Sequence, residues 1–187
     1  MRTVIAQIYD YSLDGISAEE DSSFFEFCRA LPDDPVYLER AVDFYRNADL
    51  IVMGRTHYQG ASAYFPHAGD NAYADVMNAA RKIVFSRTLA TADWANTTVI
   101  NGDLAAEMAK LKLGGGDGYI IADGGTGLLQ SLIRNDLVDE YRVSLVPYLA
   151  GQGTRIFDDL AQPTKLEFVS VTPVGGGINK LIYRPIR

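Results

Sequence analysis

The chain has 187 residues, 48% of them hydrophobic and 22% charged, a size and balance that suit one globular domain spanning 1–187. No stretch approaches the ~18 continuous apolar residues of a membrane helix, and the opening MRTVIAQIYDYSLDG lacks the apolar core and cleavage site of a secretory signal, so a cytoplasmic protein is expected. A net charge of −7 without any Lys/Arg block argues against a nucleic-acid surface, and an anionic ligand must therefore be held by individual arginines and backbone N–H groups.

Thr3 to Tyr9, TVIAQIY, is rich in β-branched and apolar residues and runs towards the turn-like Ser12-Leu13-Asp14-Gly15, which predicts a buried first strand followed by a loop. An acidic, serine-containing loop continues to about Ser23. Cys28 is the only cysteine, so no intramolecular disulfide is possible, and its setting in FFEFCRAL suits a packed helix better than a catalytic thiol. From Pro35 to Asn47, Val36, Leu38, Ala41, Val42 and Tyr45 fall near helical spacing with Glu39, Arg40, Asp43 and Arg46 on the other face, an amphipathic helix. Asp49 to Met53 is a continuous apolar run, as in a strand covered on both sides.

A polar, aromatic stretch follows from Gly54 to Asp70, then a short helix near Ala72 to Ala80. Lys82 to Phe85 and Thr97 to Ile100 supply two more strands. Asp103 is placed to cap a helix carrying Leu104, Met108 and Leu111, which ends at Gly114-Gly115-Gly116. Tyr119 to Ala122 is a strand, Thr126 to Asn135 a helix, and Tyr141 to Val146 a strand halted by Pro147. Leu166 to Thr172 and Ile178 to Tyr183 are joined by Pro173-Val174-Gly175-Gly176-Gly177 at hairpin spacing. The pattern predicts a three-layer α/β fold: a mixed, mostly parallel sheet flanked by helices, ending in an antiparallel hairpin.

Ligands of open α/β sheets bind beyond the carboxyl ends of strands, and three strand ends carry suitable residues: Gly54-Arg55-Thr56, Ser86-Arg87-Thr88 and Gly124-Gly125-Thr126. Glycines at such corners permit close backbone approach, and the free N–H groups of the following helix favour a diphosphate. Arginine with Ser or Thr suits a terminal phosphate such as the 2′-phosphate of NADP. Each corner alone is explained as well by a tight turn or a solvated strand end; the three together carry more weight. The P-loop motif, a G-x-G-x-x-G after the first strand and the zinc deaminase signature are absent. His57 and His67 stand ten residues apart without a cysteine partner, so no metal site is expected and packing or hydrogen bonding explains either histidine.

Ser12-Leu13-Asp14-Gly15, Met53-Gly54-Arg55-Thr56-His57-Tyr58, Phe85-Ser86-Arg87-Thr88, Gly124-Gly125-Thr126-Gly127-Leu128 and Leu137-Val138-Asp139-Glu140-Tyr141 occur in that order, leading through Pro147 and Gly151-Gln152-Gly153 to Ile156-Phe157. This series resembles the dihydrofolate reductase superfamily, specifically the branch of the C-terminal reductase domain of the riboflavin-biosynthesis bifunctional deaminase-reductase. The resemblance spans nearly the whole chain. It implies an NADPH-dependent oxidoreductase that passes hydride to a C=N or C=O of a small pyrimidine- or pterin-like substrate, and usually a homodimer.

By that resemblance Gly54, Arg55 and Thr56 hold the adenine-side phosphates, Ser86, Arg87 and Thr88 the 2′-phosphate, and Gly124, Gly125 and Thr126 the pyrophosphate. Ala6, Gln7 and the loop from Asp14 to Ser17 border the nicotinamide and substrate, with Tyr148 in the same cleft. The acidic residue that serves folate in true dihydrofolate reductases has no clear counterpart on the Pro35–Asn47 helix, where Glu39 and Asp43 are the candidates, so dihydrofolate is not the preferred substrate; Asp14 is a further catalytic candidate, better explained as a turn cap. Phe24, Phe25 and Phe27 fit core packing better than a lid. Two departures stand out. The family often has Thr two places after the arginine, where this chain has His57, and Asp123 precedes the glycine pair, where its carboxylate must point away from a diphosphate or be paired. The rival reading is a dimeric NADP(H)- or nucleotide-binding module of the same fold without turnover.

Overall fold

The computed structural model describes residues 1–20, 22–32, 34–158, 160 and 162–187. Eight strands form one sheet in the order β4-β3-β2-β5-β1-β6-β8-β7. These are β1 (Val4–Ser12), β2 (Ala48–Gly54), β3 (Lys82–Phe85), β4 (Thr97–Ile100), β5 (Tyr119–Ala122), β6 (Glu140–Val146), β7 (Leu166–Pro173) and β8 (Asn179–Pro185). The pairings from β4 through to β6 are parallel, whereas β6 with β8 and β8 with β7 are antiparallel. The expected mixed sheet with a terminal hairpin is thus what the chain adopts. Parallel neighbours require a crossover; helices supply it on both faces, except between β3 and β4, where the connection 86–96 contains no helix.

The helices are α1 (Ser23–Ala30), α2 (Pro35–Arg46), α3 (Arg55–Tyr64), α4 (Ala72–Ala79), α5 (Leu104–Leu113) and α6 (Thr126–Arg134). Met108 of α5 and Leu128, Leu129 and Leu132 of α6 pack on Val4, Ala6, Ile8, Val52, Ile120 and Ala122. Tyr45 of α2, Tyr58 and Ala61 of α3 and Met77 of α4 pack on Ile51, Met53, Val84 and Ile121 of the opposite face. Strand residues alternate between the two layers because successive side chains leave a strand on opposite sides. So on β1, Ala6 and Ile8 enter the α5–α6 layer, while Gln7 and Tyr9 turn to the α2 side.

Two helices exceed what the local pattern indicates. The stretch read as polar and aromatic contains α3 and a 3₁₀ turn, Phe65–His67. Only Tyr58 and Ala61 of α3 are buried, too narrow an apolar stripe to register as periodicity. The acidic loop before α1 includes residue 21, which lies outside the described residues, and α1 itself is the packed helix expected around Cys28.

Candidate functional site

The strands β3, β2 and β5 are contiguous and parallel, so their carboxyl ends deliver the three singled-out corners to one edge of the sheet. Two of them are tied directly: the Gly54 N–H donates to the Gly124 carbonyl at 3.2 Å, and the Asp123 N–H donates to the Val52 carbonyl at 3.0 Å. Gly124 and Gly125 have φ of 98° and 63°, a left-handed pair that side chains tolerate poorly. A Cβ on Gly125 would stand 3.6 Å from the Gly54 Cα, so the two corners approach backbone to backbone.

The helix starts differ in a telling way. Side chains of Ser22, Asp34, Asn71 and Asp103 cap α1, α2, α4 and α5. By contrast α3 and α6 begin on Gly54 and Gly125 with no side-chain cap, leaving first-turn N–H groups for an external acceptor. Arg55, Thr56, Arg87 and Thr88 are exposed, and among the described residues neither arginine is engaged in an ion pair. The third corner works through side chains, because Ser86 Oγ already accepts the N–H groups of Thr88 at 3.2 Å and Leu89 at 2.9 Å.

Asp123 is paired, as its position demanded. It is 3% exposed, accepts a hydrogen bond from the Tyr45 hydroxyl, and lies with Oδ2 3.5 Å from His57 Nε2. That separation is an ion-pair distance beyond a well-formed hydrogen bond. Burial disfavours charge on His57, but the adjacent Asp123 carboxylate, together with the charge of Glu20, outweighs it and raises the imidazole pKa. Tyr45 hydrogen-bonds in turn to the Tyr9 hydroxyl at 2.9 Å, and Tyr9 lies 3.4 Å from that of Tyr73. Burial, then the neighbouring Tyr73 and Asp123, push Tyr9 well above the ordinary phenol range, so its hydroxyl keeps its proton.

Beside it, between α2 and strands β6, β8 and β7, lies a cleft of about 120 Å³ whose lining includes Tyr9, Tyr37, Phe44, Arg142 and Lys180. Lys180 Nζ stands 5.1 Å from the Tyr9 ring centroid and donates to the Tyr37 hydroxyl at 3.4 Å. Burial, reinforced by Arg142, lowers its pKa to about 7, with Asp123 opposing. Arg142 lies over the Phe44 ring at 4.1 Å and is held by Glu140 at 2.7 Å. Gln7, the register neighbour of Arg142, is 1% exposed, and neither polar atom of its side chain has a hydrogen-bond partner among the described residues. An orphaned buried amide costs roughly 1–3 kcal/mol, which a ligand group would offset.

The remaining predicted residues are placed less favourably. Ala6 is fully buried, with its methyl in the α5–α6 layer and its backbone paired to β5 and β6; it offers no side-chain surface to a cofactor, and Gln7 is the β1 residue facing the α2 side. Glu39 and Asp43 are exposed on α2, Asp43 is bound to Arg46 at 2.6 Å, and the helix turns Val42 and Tyr45 inward instead. Neither carboxylate lines the cleft, to which α2 contributes Tyr37, Arg40, Ala41 and Phe44. Asp14 anchors a loop: it accepts from Ser12 Oγ at 2.6 Å, Ala150 N at 3.0 Å and Gly151 N at 2.7 Å, bonds that hold its pKa down to about 2 and leave no proton to donate near neutrality. Tyr148 is sandwiched by Phe24 and Phe27, with ring centroids 5.0 and 4.9 Å away. Tyr9, Tyr45 and Lys180 were missed because their roles arise from contacts across the sheet.

Among the described residues no group of three or more His, Cys, Asp or Glu is arranged to hold a metal ion, and no helix is long and apolar enough to cross a membrane.

The fold recurs in known proteins. The uncharacterized protein YyaP of Bacillus subtilis (strain 168) is 30% identical over 145 residues, covering 75% of this chain and 76% of the relative. The crystal structure of a putative riboflavin biosynthesis protein from Shewanella sp. PV-4 superposes with a TM-score of 0.79 at 22% identity, over 99% of both chains. Dihydrofolate reductase from Enterococcus faecalis, complexed with NADP(H), gives 0.64 at 14% identity over 98% of this chain and 96% of that one; the fold is dihydrofolate reductase-like. The family model of the RibD C-terminal domain matches residues 2–180, and the chain belongs to that family.

Proposed function

We propose that the protein is an NADPH-dependent reductase acting on a C=N or C=O of a small pyrimidine- or pterin-like heterocycle. Membership of a reductase-domain family supports an oxidoreductase, and the Enterococcus relative is one that binds NADP(H). The observation that carries the reading is the meeting on one sheet edge of two helix starts without a side-chain cap and two arginines that form no ion pair among the described residues.

The residues fit the coenzyme. First-turn amides at Gly125 and Thr126 would hold the diphosphate, Arg55 and Thr56 the adenine-side phosphate, and Arg87 with Ser86 and Thr88 the 2′-phosphate. The unsatisfied Gln7 amide matches a carboxamide in hydrogen-bonding capacity. When bound, the nicotinamide supplies the hydride. The accompanying proton is assigned to Lys180, which with a pKa of about 7 populates both its acid and its base near neutrality, as a general acid requires. Tyr9, Tyr37 and Phe44 give the cleft aromatic walls against which a flat heterocycle can pack.

Calorimetric titration with NADPH, followed by assay of NADPH consumption with a panel of pyrimidines and pterins, tests the assignment. Saturable binding with turnover supports it. Binding without turnover across the panel supports the non-catalytic module instead, and absence of heat with either oxidation state overturns the cofactor reading.

We also infer a homodimer. A bulge between Phe168 and Ser170 of β7 resets the alternation, so that Leu166, Phe168 and Val171, at 44, 56 and 50% exposure, share one face. An edge strand this apolar calls for a cover.

A further inference from the structure

His57 has no part in the roles assigned so far, yet its imidazole faces two ways. Nε2 is buried and directed at Asp123. The Nδ1 edge lies over the glycine corner: a Cβ on Gly124 would stand 3.4 Å from Nδ1. The side chain is 35% exposed, so this edge is reachable from the space in front of the corner.

The charges around it need this residue. Asp123 is a buried carboxylate immediately behind the amides offered to a diphosphate, and an uncompensated negative charge there would repel the ligand. Tyr45 gives Asp123 a hydrogen bond from α2 but no charge. Among the described residues, the charged groups facing His57 are Asp123 from the end of β5 and Glu20 from the loop before α1; the α6 start, Gly125 and Thr126, carries no charged side chain, and Arg55 and Thr56 precede His57 in the same helical turn. A cation in the first turn of a helix is disfavoured by the macrodipole, so a proton on His57 depends on negative charge close by. Asp123 and Glu20 supply some of it, and a diphosphate at the corner supplies more.

We propose that His57 is a coenzyme-diphosphate ligand that carries a proton between Asp123 and the diphosphate, so that coenzyme binding is coupled to protonation of this one imidazole. The inference rests on the NADPH reading and goes beyond it by naming a residue where the family often has threonine, which cannot couple binding to a proton in this way. Linkage is reciprocal: if binding raises the His57 pKa by about one unit, affinity below that pKa exceeds affinity above it about tenfold.

The chain has two histidines, and His67 is exposed in a 3₁₀ turn, so NMR titration of both imidazoles gives a probe and an internal reference. With saturating NADPH, and separately with inorganic pyrophosphate, the His57 pKa is expected to rise by about one unit while His67 stays put; D123N lowers the His57 value in the free protein. Calorimetry of NADPH binding in buffers of different ionisation heat then compares wild type with H57Q. The 2′-phosphate titrates near pH ~6 in both, so extra proton uptake by the wild type isolates His57. A His57 pKa unmoved by saturating NADPH overturns the proposal while leaving the cofactor reading intact, and the measurement needs no variant to fold. Failure of NADPH to bind at any pH overturns both.

Discussion

Replacing Arg87 by alanine tests the proposed 2′-phosphate contact separately from every other proposed coenzyme contact. Arg87 follows β3, is exposed, and is engaged in no ion pair among the described residues. The turn it occupies is held by Ser86 Oγ through the amides of Thr88 and Leu89, so the truncation leaves the backbone in place. A hydrogen bond to a charged group contributes roughly 1.5–3 kcal/mol, which corresponds to about a 10- to 150-fold weakening of NADPH binding. Exposure and salt screening place the effect towards the lower end. NADH lacks the 2′-phosphate, so its Kd should change little. The assay is calorimetric titration of wild type and R87A with both coenzymes at low and high salt, where the wild-type preference for NADPH should shrink as salt rises. Equal losses for NADPH and NADH, or no loss for either, would refute the assignment of this corner.

Lys180 makes stability depend on pH in a direction that can be worked out. Its folded pKa of about 7 lies below the value of about 10.4 in an unfolded chain. Between these values the unfolded chain binds more protons, so stability rises with pH across the window. Urea midpoints of the wild type should climb relative to K180M from pH ~7 to ~10; parallel curves would contradict the burial of this amine. For the proposed dimer, F168K combined with V171K places two charges on the apolar face of β7 and is expected to halve the mass seen by light scattering. A wild type that is already monomeric at micromolar concentration, or a double variant of unchanged mass, would remove β7 as the interface.

Most strands were legible because each is a short run of β-branched or apolar residues bounded by Gly, Pro or Asp, a property of neighbours along the chain. Asp103 and Pro35 marked α5 and α2 for the same reason, since a cap acts within its own first turn. Lys82 shows where this stops. A lysine opening a strand reads as a solvated end, yet here it is buried, its ammonium donating to the carbonyls of Met77 at 2.8 Å and Ala80 at 2.7 Å and lying 4.3 Å from the Trp94 ring centroid. Burial drives its pKa down to about 8.

The candidate site divides along the same line. Glycine pairs, arginines and hydroxyls at strand ends are local features, so the sequence by itself determined which strand ends carry them and the hairpin that closes the sheet. The pairing of Asp123 was decided only by the tertiary structure, because its partner Tyr45 lies 78 positions away and His57 comes from the helix after another strand. The same holds for Lys180, brought beside Tyr9 and Tyr37 by the antiparallel return of β8. A buried polar group takes its partner from whatever packing places within hydrogen-bond or charge range, and that proximity leaves no periodic trace along the chain.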